Sequence, residues 1–410
     1  MTPLRAVPLV ILTMVFSSCG EPDGRGNRMA GGVVEADGSF PVAYDSLRLA
    51  EDEQVFIALP RSLLVESDES EGDGYRVWVV DFTANTVLRF GSSGEYQGRI
   101  GTPGPGPHEF EGAGHVFRGL SRIAPEVDLI GITDARTFDV KWFDVDDGSL
   151  VHRTRHTMGM VGHSKPLELG SWVGGDLLFP LMSMEHQSPL AAFDLDSDTW
   201  THVGRLPEPY RRSLESGYGG FAVFFSRIYL AALDSTTAIL GFTGMPELEI
   251  VDLRSGEQRR WGRVPERFRK GQPADLWRRF DVPDEFGEGF PFDWASANVG
   301  MWRLTDGRIV MVHIDSEYEG APPRIELNST AFLTVLFPDR DTACVDLGLP
   351  IGAEFRPVFD LYEDALFGLD RRLAEGLESN IWLYRFPIPT WDDCPSVHRM
   401  EGWLEVRARE

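Results

Sequence analysis

The sequence is poor in cysteine and in basic residues. It has three cysteines in 410 residues, and 39 Lys and Arg residues stand against 64 Asp and Glu residues. The formal net charge is −25 and the pI is about 4.7. Because nucleic-acid binding needs a clustered basic surface, this balance disfavours nucleic acid as a partner. Hydrophobic residues make up 42% and charged residues 25%, which excludes a wholly disordered or fibrous chain.

Long hydrophobic runs are also missing, apart from one at the N-terminus. The run from Ala6 to Phe16 covers about 11 residues, too few to span a bilayer, so a polytopic membrane protein is excluded. Arg5 precedes the run, and the small residues Ser17 and Ser18 lead into Cys19. A basic start, a short apolar core and small residues at the cleavage site predict a secretory signal peptide.

Residues 1–19 resemble a bacterial lipoprotein signal, in which the cysteine becomes the first mature residue and carries lipid. The resemblance implies a signal peptide over 1–18, lipidation of Cys19 and a protein anchored to the cell envelope, on its periplasmic or outer-surface face. An ordinary signal with a coincidental cysteine is the alternative. Residues 19–43 are rich in Gly and short polar residues, which predicts a flexible tether before a folded domain over 44–410.

Two cysteines remain after Cys19. In an exported protein, Cys344 and Cys394 are candidates for one disulfide, and two separate buried thiols are the alternative. No CxxC or Cys/His spacing indicates a zinc site.

The rest of the sequence predicts an all-β fold. Short runs rich in β-branched and aromatic residues are bounded by Gly, Asp, Asn and Pro, as in YRVWVVD (75–81) and IWLYRF (381–386). Short helices are expected only around 263–279 and 369–378.

These strands repeat as a unit with a period of roughly 50 residues, which is typical of propeller blades. Six copies predict a six-bladed β-propeller, with seven blades as the less favoured alternative. One longer interval contains an insertion at 264–292. We expect residues 44–50 to complete the last blade, with 400–408 as the partner strand. Six positions are taken as equivalent: Phe90, Phe143, Phe193, Val251, Leu336 and Tyr384.

One of the six units resembles an NHL repeat over residues 75–110. Its strand pair leads into a Gly-Pro-rich tail ending in Glu-Phe, although His108 stands where the family usually has Gly. The resemblance implies a six-bladed, NHL-like bacterial lipoprotein. The matching residues are Val77, Val79, Asp81, Asn85, Val87, Phe90, Gly94, Gly101, Gly106, Pro107, Glu109 and Phe110.

Four oxygen-bearing residues are the candidates for a calcium site at the central channel, because calcium prefers carboxylate and amide oxygens. They are Asp81, Asp134, Asn298 and Asp315. The simpler prediction is that Asp81 and Asp134 cap the turns that follow their strands. The sequence therefore predicts no metal and no cofactor, with calcium as the alternative.

The insertion supplies a candidate binding loop. Its segment 277–294 is Gly/Pro-rich and has no core to fill, so its aromatic side chains would cover the channel or form a partner surface. These side chains are Trp277, Phe280, Phe286, Phe290, Phe292 and Trp294.

The sequence favours a non-enzymatic binding or scaffold module for an unidentified protein or small molecule. This rests partly on analogy of fold. A metal-assisted hydrolase or lactonase with its site at the central channel is the alternative. No GxSxG, Walker or HExxH motif is present.

Overall fold

A computed structural model of the protein describes most of the chain between residues 28 and 399. The described residues are 28–33, 40–50, 55–68, 74–119, 123–124, 126–137, 139–155, 160–161, 167–168, 176–180, 182–183, 185–213, 227–245, 247–263, 296–321, 324–340, 342–352, 357–373 and 379–399.

The N-terminal half contains three leading strands and three blades. The leading strands are β1 (Arg28–Val33), β2 (Phe40–Pro41) and β3 (Ala43–Arg48). Blade 1 contains β4 (Pro60–Asp68), β5 (Gly74–Asp81), β6 (Thr86–Phe90) and β7 (Tyr96–Ile100), followed by a short parallel pair, β8 (Thr102–Pro103) and β9 (Glu109–Phe110). Blade 2 contains β10 (Ala113–Arg118), β11 (Leu129–Asp134), β12 (Asp139–Asp144) and β13 (Leu150–Arg155). Blade 3 contains β15 (Leu167–Glu168), β16 (Leu177–Pro180), β18 (Leu190–Asp194) and β19 (Thr199–Val203). Two short strands, β14 (Met160–Val161) and β17 (Met182–Ser183), form a separate pair.

The C-terminal half contains the other three blades. A short helix, α1 (Glu208–Ser213), precedes blade 4, whose strands are β20 (Ile228–Ala232), β21 (Thr237–Phe242), β22 (Glu247–Asp252) and β23 (Gln258–Arg263). Blade 5 contains β24 (Ser296–Arg303), β25 (Ile309–Ala321), β26 (Arg324–Phe337), a 3-10 turn (Pro338–Arg340) and β27 (Thr342–Gly352). Blade 6 contains β28 (Val358–Tyr362), β29 (Ala365–Leu373) and β30 (Ser379–Pro387), after which β31 (Val397–Arg399) returns to pair with β27.

Within each blade the strands pair antiparallel in chain order, and the first strand lies innermost. The first strands of neighbouring blades contact one another: β4 contacts β10 and β28, while β24 contacts β20 and β28. They therefore surround the propeller axis. The predicted six-bladed β-propeller is confirmed, and all six positions taken as equivalent lie on the third strand of a blade.

The core follows from the alternation of side chains along each strand. In β4, Leu63 and Val65 pack toward blade 6, whereas Leu64 packs toward blade 2. Because a sheet buried on both faces needs a neighbour on each side, one sheet alone cannot form the core. The described residues contain six buried apolar clusters, one at each junction between successive blades, including the junction of blades 6 and 1.

The ring closes through the N-terminal strand, as predicted. Strand β3 pairs with β30 and forms the fourth strand of blade 6. The expected partner strand at 400–408 lies outside the described residues, and the other edge of β3 pairs with β1. The predicted tether boundary at residue 43 is also corrected, since Arg28–Val33 already forms a paired strand. Backbone hydrogen bonds pair this Gly-containing segment without any need for large side chains.

The Gly-Pro-rich tail of blade 1 makes a tight turn that ends in an anchor. Gly101 has a φ of +80°, and a Cβ atom there would lie 2.2 Å from the Phe110 ring, so only glycine fits. Phe110 is fully buried, and its ring centroid lies 5.9 Å from that of Phe143 in blade 2. The tail therefore fastens blade 1 to blade 2.

Two local predictions of secondary structure were wrong. Residues 369–373 belong to strand β29 and not to a helix, because their pairing with β30 overrides their helix-forming composition. The described helix, Glu208–Ser213, was not predicted. The expected helix at 263–279 lies almost wholly outside the described residues.

Candidate functional site

The innermost strands of the propeller have two ends. The leading end is where the chain enters these strands, and the trailing end is where it leaves them. The register places the last residue of β5 opposite the first residue of β4, and the last residue of β11 opposite the first residue of β10. Asp81 and Asp134 therefore lie at the leading end.

Asp81 and Asp134 use their carboxylates to hold backbone. Asp81 is fully buried and accepts hydrogen bonds from the amides of Ala58 (2.7 Å) and Thr83 (2.8 Å). Asp134 accepts from the amides of Glu111 and Arg136, both at 3.1 Å. Each carboxylate thus caps the turn after its strand, as the simpler prediction had it, and also fixes the segment that leads into the innermost strand of its blade.

Asp134 has a further partner, Lys141, whose side chain is 1% exposed. The Lys141 ammonium lies 3.6 Å from the Asp134 carboxylate and 4.8 Å from the Phe110 ring centroid, and it also donates to the carbonyls of Gly106 and Glu109. Burial lowers the pKa of Lys141, and the Asp134 charge opposes that shift. Lys141, paired with Asp134 inside blade 2, therefore joins the tail of blade 1 to blade 2 through its two carbonyl contacts.

Asn298 and Asp315 lie at the leading end of blade 5. The Asn298 amide donates to the carbonyls of Phe242 (2.8 Å) and Met245 (3.1 Å) of blade 4, and Asp315 accepts a hydrogen bond from the Ser296 hydroxyl. Within the described part of the chain, no three His, Cys, Asp or Glu side chains are arranged to hold a metal ion. The structure places the four calcium candidates in contacts that tie segments and blades together.

The disulfide candidates lie on adjacent elements. Cys344 in β27 and Cys394 are joined by a disulfide, with their Cα atoms 5.7 Å apart. Trp391 packs beside this bond, edge-on to Phe337 and under the Arg340 guanidinium, and Arg308 donates to the carbonyl of Pro389. The segment after blade 6 is thereby fastened to the outer edge of blade 5.

Other predicted site residues lie outside the described residues. They are Cys19 and the six aromatic side chains Trp277, Phe280, Phe286, Phe290, Phe292 and Trp294, within the insertion at 264–292 and just after it.

The trailing end carries a different set, which we name the trailing cluster. It consists of Glu66, Asp68, Arg76, Trp78, Arg118 and Tyr362, from blades 1, 2 and 6.

Blade 1 supplies the acidic half of the trailing cluster. Glu66 and Arg76 face each other across β4 and β5, with 4.0 Å between Oε1 and Nη1. The Trp78 indole donates to Glu66 Oε1 at 2.7 Å, and Arg76 pairs with Asp68 at 3.1 Å. Burial raises the pKa of Glu66, although the Trp78 hydrogen bond and the two guanidinium groups, Arg76 and Arg118, oppose that shift.

Arg118 connects three blades at the axis. It is the last residue of β10 in blade 2 and is exposed. Its Nη2 donates to the Val65 carbonyl of blade 1 at 2.8 Å, and its guanidinium carbon lies 5.4 Å from the Tyr362 ring centroid of blade 6. Blade 6 is also joined directly to blade 1, because the Asp360 carboxylate accepts a hydrogen bond from the Val65 amide at 2.9 Å. The guanidinium is thus held in one place without being buried.

Sequence reasoning missed the trailing cluster. The repeat unit read from the sequence contained the second, third and fourth strands of each blade. Strand β10 (AGHVFR) is buried along its length up to Arg118, so it shows no polar–apolar alternation. The signal that could have indicated Arg118 in the sequence is a charged residue directly after a mainly apolar strand.

Comparisons with known proteins show the fold alone. Neither a protein-family model nor a curated protein matches the chain. A DUF4221-family member from Bacteroides vulgatus is similar in structure, with a TM-score of 0.54 and 11% identity, over 92% of this chain and 100% of that one. A presumed exported protein from Bacteroides fragilis is similar with a TM-score of 0.50 and 12% identity, over 84% and 94%. In the described part of the chain, no helix is long and apolar enough to cross a membrane.

Proposed function

We propose that this chain is an exported β-propeller, anchored by lipid on Cys19, that binds a ligand at the trailing end of its innermost strands. The observation that carries the proposal is the position of Arg118. An exposed guanidinium held by contacts with two other blades, at the axis where three blades meet, is suited to recognition. The NHL-like pattern of blade 1 is consistent with such a module.

The contrast with the leading end supports binding over metal-assisted hydrolysis. There, the oxygens of Asp81 and Asp134 accept backbone hydrogen bonds, and the Asn298 amide ties blade 5 to blade 4. A calcium site would need several of these oxygens to leave their present partners and converge on one ion.

The experiment is a ligand screen by thermal shift on the mature protein. A ligand at 100 times its Kd stabilises the folded state by about 2.7 kcal/mol. Compounds that raise the Tm of the wild type should not raise the Tm of the double variant Arg118→Ala/Tyr362→Ala. The matched control is Arg340→Ala, which removes another arginine–aromatic contact far from the axis. Equal shifts in all three proteins would contradict a ligand site at the trailing end.

Anchoring is tested separately. Cys19→Ser should move the protein from the membrane fraction to the soluble fraction and abolish incorporation of labelled lipid. An unchanged membrane fraction would refute the lipid anchor.

The insertion segment 277–294 is proposed as a second contact surface for a protein partner. Its deletion should leave the β-sheet circular dichroism signal intact and weaken partner binding. Loss of that signal would assign the segment a structural role instead.

A further inference from the structure

The trailing cluster contains two guanidinium groups in different electrostatic settings. Arg76 pairs with Asp68 at 3.1 Å and also faces Glu66. Arg118, in contrast, forms no ion pair with any described carboxylate: its contacts are one backbone carbonyl and one aromatic ring. In a chain of net charge −25, an exposed arginine that pairs with none of the described carboxylates is unusual.

The geometry leaves most of the Arg118 donors available. A guanidinium has five N–H donors in a planar fork, and the Val65 carbonyl takes one of them. The Tyr362 ring and this hydrogen bond restrict the side chain, so less rotamer entropy is lost when a ligand binds. A planar fork held in this way matches the two oxygens of a carboxylate.

The surroundings select against highly charged anions. Asp68 and Glu363 lie close by, and Asp128 acts electrostatically on Glu66. Together with the acidic surface, these groups repel a polyanion or a phosphate dianion more strongly than a single carboxylate. The half-buried Tyr362 ring provides apolar surface beside the charge.

We infer that Arg118 is the receptor for a carboxylate group of a small ligand, with Tyr362 and the Val65 carbonyl holding the guanidinium in place. This inference rests on the proposed function and names the chemical class of its ligand.

Glu66 gives the site a characteristic pH dependence. A bound carboxylate adds negative charge near Glu66, which favours the protonated form of that residue. By linkage, binding should tighten as the pH falls through the pKa of Glu66. Among the described residues, the charged groups that act on Glu66 are Arg76, Arg118 and Asp128. Asp68 pairs with Arg76, and Tyr362 lies against Arg118.

The test compares N-acetylglycine with its neutral amide, N-acetylglycinamide, by saturation-transfer NMR titration on the full mature protein. The wild type should bind the carboxylate at least tenfold more tightly than the amide. Arg118→Ala should abolish this preference and Arg118→Lys should keep part of it, since lysine retains the charge without the fork. Arg340→Ala should behave as the wild type. Glu66→Gln should bind N-acetylglycine more tightly than the wild type at neutral pH, because glutamine is neutral like protonated Glu66, and should lose the pH dependence.

Several results would overturn the inference. Equal binding of acid and amide would do so, as would a carboxylate preference that survives in a folded Arg118→Ala protein. Tighter binding of inorganic phosphate than of N-acetylglycine would assign the site to phosphate. If neutral compounds from the screen lose binding in Arg118→Ala/Tyr362→Ala, the proposed ligand site stands and only the carboxylate assignment fails.

Discussion

The two ends of the innermost strands hold polar side chains of opposite character. At the leading end, Asp81 and Asp134 are buried and bonded to backbone amides. At the trailing end, Arg118 is exposed, and one of its donors is bonded. The same ring of strands thus uses these carboxylates for assembly at one end and leaves one guanidinium accessible at the other. The carboxylates that stand out in the sequence lie at the leading end.

The largest expected effect on stability comes from the Cys344–Cys394 disulfide, which lies at neither end of the innermost strands. The Cys344–Cys394 disulfide closes a loop with a sequence separation of 50 residues. Loop-closure entropy makes such a bond worth about 4 kcal/mol. The double variant Cys344→Ala/Cys394→Ala should therefore lose about that much free energy of unfolding in urea, yet still show the ligand-induced shift. The variant would thus separate ring stability from the trailing cluster. Alkylation of both wild-type thiols after denaturation without reductant would show that the bond is absent.

At the leading end, Asp134→Ala should cost about 3 kcal/mol, because it leaves the Lys141 ammonium buried without its carboxylate. The double variant Asp134→Ala/Lys141→Met should recover part of the loss, since both charges are then gone. Chemical denaturation of the three proteins gives the coupling energy. A double variant less stable than Asp134→Ala would show that Lys141 stabilises the fold through its two carbonyl contacts and not through the ion pair.

These two regions also show what the sequence could predict. The third strands stand out because Phe90, Phe143 and their counterparts recur with one per blade, and burial between blades demands such residues. The same repeat of blades predicted that residues 44–50 close the ring. A carboxylate that ends a strand looks identical in sequence whether it binds metal or backbone amides, so the sequence left both roles open for Asp81 and Asp134. The sequence could not predict the site at Arg118, because its contacts, Val65 and Tyr362, are far away in sequence. They are brought together only when the ring closes.

A matched pair of aspartates, Asp81 and Asp144, measures how much the burial of a turn-capping carboxylate contributes to the stability of the fold. Asp81 and Asp144 both accept from the amide two residues ahead, at 2.8 Å and 2.7 Å, but Asp144 lies on an outer hairpin and makes only local bonds. Asp81→Asn turns an acceptor into a donor facing the Ala58 amide and should cost about 2 kcal/mol. Asp144→Asn should cost about 0.5 kcal/mol or less. Equal losses in urea denaturation would mean that the contact with Ala58 adds nothing to the turn.

The smallest expected effect belongs to the trailing end and depends on pH. The pKa of Glu66 is raised in the folded protein, mainly by burial, relative to its ordinary value in the unfolded chain. Folding therefore favours protonated Glu66. Its contribution to stability is fully present below the ordinary pKa and is lost as the pH rises through the raised folded pKa.

Glu66→Gln should remove this loss, because glutamine stays neutral and its Oε1 still accepts from the Trp78 indole. The variant should be at least as stable as the wild type at neutral pH, and the difference should vanish in acid, as thermal unfolding across the pH range would show. Asp68→Asn is the control and should be destabilising at neutral pH, since Arg76 loses a direct carboxylate partner at 3.1 Å. If Glu66→Gln instead lowers the Tm at neutral pH, the Glu66 carboxylate is a needed partner of Arg76 or Arg118. The trailing end would then resemble the leading end, with its charges serving the fold.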